Sequence, residues 1–535
     1  MDAIVDPAEL ENRLSSAVSG IQGGKAVGYA RLWKEYAVRA PLRSAEAIAG
    51  GRLSRNEREV EGVLWRSARS WPGDTLFDHL EYAVRRERLD LLLLKRLFLS
   101  LESGDVRDLA EAIRTRPSSV NARRVWFLYE WLTRREMDVP DLKVGNYDLV
   151  LDPATYYAHG APTMNRRHRL HDNMPGTPEF CAITRRTDFL DLATGYQSRI
   201  RRVVDDVDPD LRRRAAAHMV LKDSKASFEI EGEIEPGRPA NERVRRWGKV
   251  IGRAGSRPLD MDYLSHLQEE VIGNSPFVRL GFRAEGVFLG DRDREGGPIP
   301  EFIGARAEDV PSLVDGILRF NSKALEDDAF NPVAHAASVA FSFVYVHPFE
   351  DGNGRIHRYL IEHVLAERNV SPSGMVFPVA PAILKRIEDY ARVLKQHSLP
   401  LMEFIPWRAS GNGNVEVVED TSDLYRFPDV TEQASFLAEC MEQTIDHDMP
   451  DEIGYLKAFD QAVKAIDSIA PMPNSKATLL ISLINQNGGS LSKKKRKAEF
   501  PELEDRLLQQ IEDAVRDSFA VVQTADTAIA ENMSV

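Results

Sequence analysis

The sequence predicts a mainly α-helical protein that carries one small β-hairpin. Apolar residues recur at three- and four-residue intervals in several stretches, for example 89–101 and 125–132, and this spacing is typical of amphipathic helices. In the segment 286–304, two short apolar runs flank a turn rich in Gly and Asp, which is the pattern of a β-hairpin. Together these observations favour a helical domain architecture in which the hairpin is the exception.

The first half of the chain is predicted to contain three blocks. Residues 1–140 should form an N-terminal helical region. Residues 141–207 are richer in Pro, Gly, Asn and Asp, so we expect a loop-rich connection there. A long helix should then occupy most of 208–235 and end at Gly232, because glycine commonly ends helices.

A central domain is predicted over residues 259–410. In chain order it should contain a helix, the hairpin and two further helices, at Leu259–Ile272, 286–304, Val310–Asn321 and Pro332–Val346. The last of these helices begins with a proline, which is favourable in the first helical turn.

Residues 415–535 are predicted to form a separate C-terminal helical domain. Pro471 and Pro473 should end one helix before the next begins. The basic run Lys493–Lys497 resembles a nuclear-localisation or nucleic-acid patch, but we interpret it as the exposed first turns of a short helix.

Composition narrows the class of protein. The 535 residues are 43% hydrophobic and 29% charged, which is typical of globular domains and excludes collagen-like or wholly disordered chains. Cys181 and Cys440 are too few for a disulfide framework, so a reducing compartment fits best. The net charge of −13 makes nucleic-acid binding an unfavoured function. The N-terminus lacks the features of a secretory signal, and the longest apolar stretch is too short to cross a bilayer. We therefore expect a cytoplasmic protein without a membrane partner.

The most informative segment, residues 345–358, reads YVHPFEDGNGRIHR. An apolar helix leads to His347, and the proline after it ends that helix. Gly352 and Gly354 flank Asn353, so the turn tolerates positive φ and can aim successive backbone N–H groups into one concavity that binds anions. The turn opens onto the start of the next helix, whose dipole also favours negative charge.

The charged residues of this segment complete a site for a polyphosphate. Arg355 and Arg358 are three residues apart and share a helix face, where two guanidinium groups can clamp phosphates. Asp351 can hold a Mg²⁺ that bridges phosphates. His347 can accept the proton of an attacking hydroxyl. A merely structural, capped turn is the alternative, and it leaves the joint spacing of these residues unexplained.

HPFEDGNGRIHR resembles the signature of the Fic family, His-Pro-Phe-x-Asp/Glu-Gly-Asn-Gly-Arg-x-x-Arg, at every fixed position. The core resemblance covers about residues 210–410. It implies a helical Fic fold and, for most members, transfer of AMP from ATP to a protein hydroxyl with release of pyrophosphate. A branch of the family that phosphorylates with ATP has lysine where this chain has Gly354, which favours nucleotide transfer here.

The resemblance also assigns roles to the residues of the signature. His347 would be the general base and Asp351 the ligand of Mg²⁺ or Mn²⁺. Arg358 would reach the γ-phosphate. The residues that would hold the α- and β-phosphates are Asn353 and Arg355, with the turn amides around Gly352 and Gly354.

The hairpin 286–304 lies where the family has a flap that binds the target by strand addition. Its residues near the target backbone and the nucleotide would be Leu289, Gly290, Asp291 and Arg292. Tyr390 lies where the family often has an aromatic residue near the adenine, but a core position is an equal alternative.

A second motif lies upstream, where Ser227, Glu231 and Gly232 resemble the family's inhibitory motif, Ser/Thr-x-x-x-Glu-Gly/Asn. The resemblance makes 208–235 an inhibitory helix. Arg358 cannot pair fully with both a protein carboxylate and a γ-phosphate, so a Glu231–Arg358 pair would misplace ATP for in-line attack.

The sequence therefore predicts a protein adenylyltransferase that uses ATP with Mg²⁺ or Mn²⁺, is autoinhibited by Glu231 and modifies a Ser, Thr or Tyr hydroxyl of a partner protein. Auto-modification and homo-oligomerisation stay open. Three alternatives also stay open: an enzyme that removes AMP with the help of Glu231, a nucleotide-sensing binding module, and a metal hydrolase built on His347, Asp351 and His357.

Overall fold

The protein is described by a computed structural model that covers residues 24–49, 58–60, 63–192, 195–235, 239–273, 275–371, 375, 377–411 and 413–532. Helices dominate these residues, which confirms the mainly α class. None of the helices within these ranges combines the length and the apolar character that a membrane crossing requires.

The N-terminal part begins with a mixed four-stranded sheet rather than with helices only. Its strands are β1 (Gly24–Val27), β2 (Ala45–Ala49), β3 (Arg58–Val60) and β4 (Val63–Arg66), in the order β1-β2-β4-β3, and helix α1 (Gly28–Glu35) follows β1. The helical prediction for residues 1–140 is wrong for this stretch, and residues 1–23 lie outside the described ones. Short strands rich in Ala and Gly have low β-propensity, so packing of buried positions such as Ala47 and Val63 stabilises them instead.

The rest of the N-terminal region is helical, as predicted. Its helices are α2 (Leu76–Arg86), α3 (Leu91–Ser100), α4 (Ser103–Arg114) and α5 (Val120–Thr133). Side chains of Thr75, Asp90 and Ser119 cap α2, α3 and α5 by accepting hydrogen bonds from backbone N–H groups of the first turn.

The connection 141–207 is irregular around a small sheet, and two helices that the loop-rich prediction did not include end it. The strands β5 (Asp148–Leu149), β6 (Thr163–Asn165) and β7 (Leu170–Asp172) have the order β5-β7-β6. The helices are α6 (Asp188–Leu192) and α7 (Tyr196–Val204).

The long helix predicted within 208–235 is α8 (Pro209–Ile230). Asp208 caps its start, and Gly232, with φ of 71°, lies in the left-handed conformation just beyond its end. A helix that sequence reasoning missed follows, α9 (Glu242–Ile251), which buries Val244, Trp247 and Ile251.

The central region follows the predicted order. Its elements are α10 (Met261–Ile272), the hairpin strands β8 (Phe288–Arg292) and β9 (Pro298–Ile303), α11 (Val310–Leu325), α12 (Pro332–Val346), α13 (Asn353–Glu367), α14 (Ala380–Lys385), α15 (Ile387–Met402) and a second hairpin of β10 (Trp407–Ala409) and β11 (Val415–Val417). Helix α12 is the centre of the core, because nearly all its side chains are buried and it packs against α11 and α13. Such all-round burial explains why its sequence is apolar on every face.

Residue 415 does not begin a separate hydrophobic core, as the predicted domain boundary there required. Helices α16 (Asp423–Arg426), α17 (Thr431–Gln443) and the start of α18 (Met449–Ile469) share the main hydrophobic core, and α17 packs on α12. A second core starts near Ala462 and reaches Val515. It is built from the end of α18 with α19 (Asn474–Gln486) and α21 (Asp505–Asn532). Helix α20 (Lys493–Glu499) buries no residue of its own, but Leu491 and Phe500 on either side of it belong to this core.

Helix α18 also holds α8 by charge. Glu452 of α18 is buried and accepts hydrogen bonds from His218 and Lys222 of α8. One turn nearer the start of α8, Arg214 forms two hydrogen bonds of 2.8 and 2.9 Å with Asp460 of α18. Burial alone would raise the pKa of Glu452, but the bonds from His218 and Lys222 lower it below its ordinary value.

We predict that Glu452→Gln lowers the free energy of unfolding by about 1 kcal/mol at pH 7, because ion pairs with partly exposed partners contribute about that much. The lowered pKa means that this contribution is complete above the ordinary glutamate pKa and is lost as the pH falls through the folded value. Urea unfolding at pH 7 and near pH 3 measures both effects. The control is Glu502→Gln, whose exposed pair with Lys476 should contribute almost nothing, and equal losses in both variants would contradict the assignment.

Candidate functional site

Helix α12 ends at His347, which the backbone places in an unusual conformation. Its φ and ψ are 53° and 62°, the left-handed region, while its N–H still donates to the Phe343 carbonyl oxygen at 3.0 Å. The imidazole Nδ1 lies 3.2 Å from the carbonyl oxygen of Val344. This contact assigns the proton of the neutral ring to Nδ1 and leaves Nε2 with a free lone pair.

The surroundings keep this histidine neutral. Burial, with a smaller contribution from the positive charge of Arg283, lowers the pKa of His347 to about 4. Glu231 and Asp351 act in the opposite direction without reversing the shift. A neutral imidazole at pH 7 can accept a proton, as a general base must.

Arg283 anchors the backbone around His347, and sequence reasoning did not identify it. Its Nε donates to the His347 carbonyl oxygen at 2.7 Å, and Nη2 donates to those of Ala305 and, at 3.2 Å, Val346. Its own N–H donates to the Pro348 oxygen at 3.0 Å. Since 64 residues separate Arg283 from His347, no local pattern could have revealed this contact.

The turn after His347 is closed by its own side chains. Asn353 donates through Nδ2 to the Phe349 carbonyl oxygen at 2.8 Å and accepts from the Phe349 N–H at 3.0 Å through Oδ1. Gly352 has φ of 94° and donates its N–H to Asp351 Oδ1 at 2.6 Å. Asn353 thus fixes the shape of the turn, and the N–H groups of the first turn of α13 lie at its open end.

Arg355 and Arg358, both 1% exposed, extend from the first turns of α13. Arg355 forms ion pairs through Nη1 with Glu233 Oε1 at 2.6 Å and through Nη2 with Asp351 Oδ1 at 3.1 Å. Sequence reasoning had named Arg355 and Asp351 but not Glu233. The only local signal for Glu233 was a second glutamate two residues after Glu231.

Arg358 contacts the end of α8, as the second motif predicted. Its Nε donates to Ser227 Oγ at 2.8 Å, and its Nη2 donates to the Ser227 carbonyl oxygen at 2.9 Å and to Glu231 Oε1 at 2.7 Å. Burial alone would raise the pKa of Glu231, but the charge and hydrogen bond of Arg358 lower it below its usual value. Glu231 is therefore an ionised partner of a buried guanidinium.

Gly354 makes room for this carboxylate. A Cβ built on Gly354 would lie 2.2 Å from Glu231 Oε1, a distance at which atoms overlap. Glu231 thus rests directly against the backbone of the glycine-rich turn, at the position that the signature assigns to phosphates.

The hairpin lies over the same end of α12. Phe302 of β9 has its ring centre 5.8 Å from that of His347. Leu289 and Ile299 are exposed, at 53% and 51%. Gly290 has φ of 145°, and a Cβ there would lie 2.3 Å from the Ile299 carbonyl oxygen, so only glycine fits this irregular pairing.

The other named residues of the hairpin and Tyr390 differ in setting. Asp291 is exposed, and Arg292 bonds the carbonyl oxygens of Gly296 and Gly413, which ties the turn to the second hairpin. Tyr390 is buried between the rings of His357 and Phe436, with ring centres 5.9 and 6.0 Å away. This placement is a core position beside Arg358, and the role near an adenine stays a prediction.

Asp351 is the metal ligand that the resemblance offers. Within the described ranges, no three His, Cys, Asp or Glu side chains converge as a metal site. Asp351 is half exposed, and its Oδ1 is used by Gly352 and Arg355. One accessible carboxylate oxygen fits a Mg²⁺ or Mn²⁺ that takes its remaining ligands from water and substrate phosphates.

Residues 258–365 match the Fic/DOC family, which confirms the resemblance read from the sequence. The chain is 25% identical over 197 residues to protein adenylyltransferase fic-1 of Caenorhabditis briggsae, covering 34% of this chain and 35% of that protein. It is 27% identical over 133 residues to protein adenylyltransferase Fic of Aedes aegypti, covering 25% of this chain and 23% of that one. The match thus spans about a third or less of the length of these relatives.

Two solved structures are similar in part. One is a Fic domain containing signaling protein from Bacteroides thetaiotaomicron VPI-5482, with a TM-score of 0.35, 18% identity and coverage of 50% of this chain and 96% of that one. The other is a Fic family protein from Desulfovibrio desulfuricans G20, with a TM-score of 0.33, 19% identity and coverage of 64% and 90%.

We predict that the His347 ring titrates near pH 4, against about 6.5 for an unperturbed histidine, because burial disfavours its charged form. Histidine-selective NMR of the full chain, with His347→Gln to assign the signal, measures this pKa. A His347 titration at or above 6.5 would contradict the assignment of a buried neutral base.

Proposed function

We propose that this chain, whose residues 258–365 form a Fic domain, is a protein adenylyltransferase that Glu231 holds in an inactive state. The observation that carries the proposal is the ion pair between Glu231 and buried Arg358, at the mouth of a glycine-rich turn and near a neutral histidine. The names of the relatives, protein adenylyltransferases at low identity, support the same reaction class.

In the proposed reaction, a hydroxyl oxygen of the target attacks the α-phosphorus of ATP. A new P–O bond to the target forms as the bond to pyrophosphate breaks, and the hydroxyl proton moves to Nε2 of His347. The hydrogen bond from Nδ1 to Val344 keeps the proton of the neutral ring away from Nε2. The anchoring bonds of Arg283 hold the ring at a fixed place relative to the turn, which matters because such transfers depend on alignment.

The phosphates would lie over the first turn of α13. Its unpaired N–H groups and the helix dipole favour an anion there, and Arg355 supplies a buried positive charge. Arg358 Nη1 makes no hydrogen bond to any of the described residues, so this guanidinium has donor capacity left for a γ-phosphate.

Asp351 would hold the Mg²⁺ or Mn²⁺. When bound, such an ion neutralises charge that develops on the leaving pyrophosphate. The protein's own part is to present Asp351 beside Arg355, with Oδ1 already fixed by Gly352.

Glu231 would inhibit by competition for Arg358. A γ-phosphate that cannot pair with this arginine leaves ATP misaligned, so that the α-phosphorus is not in line for attack. Ser227 supports this state because it accepts from Nε of the same guanidinium.

The target would be a protein that presents a Ser, Thr or Tyr hydroxyl, and the chain itself is one such candidate. The exposed Leu289 and Ile299 of the hairpin could receive an extended target segment by strand addition. Cys181 and Cys440 are buried and not in a disulfide, in keeping with a cytoplasmic location. Membranes and nucleic acids have no place in this proposal.

We predict that His347→Ala lowers AMP transfer by about 10²–10⁴-fold, because loss of a general base typically has this effect. ATP binding should be kept, since the ring contacts the reacting proton and not the phosphates. Transfer of labelled AMP to protein measures the first effect and calorimetry the second. His266→Ala on α10 is the matched control and should be unchanged, and wild-type transfer by His347→Ala would refute the assignment.

We predict that Glu231→Gly raises AMP transfer at least about tenfold, which corresponds to about 1.4 kcal/mol of relieved competition. The double variant Glu231→Gly, Arg358→Ala should lose most of this gain, because the freed guanidinium is what the γ-phosphate needs. Mass spectrometry for AMP on the chain and on lysate proteins gives the readout. Incubation of a modified target with the wild-type chain tests the AMP-removal alternative, and nucleotide binding without transfer in every variant would favour a sensing module.

A further inference from the structure

Glu233 lies between two arginines, much as a phosphate group would. Its Oε1 is 2.6 Å from Nη1 of Arg355, and its Oε2 is 2.8 Å from Nη1 of Arg243 on α9. The two oxygens of one carboxylate thus join a buried arginine of the signature to an arginine of a different helix.

Both arginines also rest on the same aromatic ring. The guanidinium carbons of Arg355 and Arg243 lie 5.1 and 5.3 Å from the ring centre of Phe228, which is itself buried. Two positive charges that share one ring repel each other, so an anion between them stabilises the arrangement. Glu233 supplies that anion from within the chain.

Arg355 retains unused donors at this place. Its Nε and Nη1 are buried and have no partner with hydrogen-bond geometry within the described residues, although Nη1 is close to Glu233. A buried guanidinium with unsatisfied donors favours a ligand that brings more acceptor oxygens. Phosphate offers three or four oxygens in place of the two of a carboxylate.

An open cavity adjoins this place. It has a volume of about 400 Å³ and is lined by Glu233, Arg243, Arg246 and Asp351, among others. Within the described residues, Nη2 of Arg246 is buried without a hydrogen-bond partner. The cavity therefore gives solvent access to Glu233, Arg243 and Asp351, which are the residues that contact Arg355 or share its partner.

We propose that Glu233 is a second inhibitory carboxylate, which occupies a phosphate-binding position formed by Arg355 and Arg243. Entry of ATP displaces it, and Arg243 then binds phosphate oxygens as an additional nucleotide-binding residue. The identity of the nucleotide rests on the proposed function. The displacement itself rests only on the geometry of Glu233 and its two arginines.

The first experiment measures the affinity of the full chain for Mg-ATP by calorimetry. Glu233→Gln keeps the size of the side chain and removes its charge, so it should tighten binding at least about tenfold. The gain should appear in the wild-type chain and again in the Glu231→Gly background. Glu229→Gln is the matched control, because this glutamate of α8 pairs with Lys225 and with neither arginine, and it should leave the affinity unchanged.

The second experiment tests Arg243. In the Glu233→Gln background, Arg243→Ala should weaken Mg-ATP binding about tenfold, because a phosphate ligand is lost. Arg245→Ala, on an exposed position of the same helix, should have no effect. This contrast separates a ligand to phosphate from a general contribution of positive charge.

The outcomes are distinct from those for the proposed function. If Glu233→Gln leaves the affinity unchanged in both backgrounds, or if Glu229→Gln raises it equally, the inference is wrong even when AMP transfer occurs. If the affinities follow the expected order but no variant transfers AMP, the inference stands and the proposed reaction fails. If no variant binds Mg-ATP, both fail.

Discussion

The site depends on the fact that Arg358 is charged and almost completely buried. A buried charge without a partner costs several kcal/mol, so this guanidinium must always face an anion. Ser227 satisfies part of its donor capacity and Glu231 supplies the charge. In the proposed mechanism, a phosphate replaces the carboxylate without leaving the arginine unpaired, so the same buried charge serves both the inhibited and the active form. Arg355 is also a buried charge, and Glu233 is its anionic partner.

Helix α8 connects these partners to the rest of the molecule. Arg214, His218 and Lys222 along its body bind Glu452 and Asp460 of α18. Glu231 lies at its C-terminal end and Glu233 just beyond it, and Gly232 with its positive φ lets the chain turn between them. A backbone change at Gly232 can move Glu233, which follows it, while the body of α8 stays bound to α18. In the proposed scheme, displacement of Glu233 therefore does not require the helix to leave the core.

The sequence predicted the central region well, because its signals are local. Pro332 and the apolar run after it define α12 with the bounds that the structure has, and the glycine-rich turn follows from three adjacent residue types. Short strands such as Ala45–Ala49 gave no such signal, because alanine favours strands only in a packed context. Helix α9 has apolar residues at helical spacing, Val244, Trp247 and Ile251, but the basic residues between them obscured this pattern.

The residues of the candidate site also fall into those that local sequence predicts and those that it does not. Residues within one segment, from His347 to Arg358, could be named from the sequence, and a known motif added Glu231. The contacts of Arg283 with His347 and of Glu233 with Arg355 join segments 64 and more residues apart. They arise from packing of α8, α9 and the hairpin region around α12 and α13. Only the folded chain brings such partners together, so local reasoning has no access to them.

The absence of a side chain at Gly354 has an evolutionary consequence. This residue lies in the first turn of α13 without a positive φ, so its backbone would accept alanine. A single methyl group there would nevertheless overlap Glu231 Oε1. In the proposed mechanism, one small substitution in this turn could thus weaken the hold of Glu231 on Arg358, with every residue of α8 intact. Under the proposed function, position 354 must therefore both admit phosphates and accommodate a carboxylate.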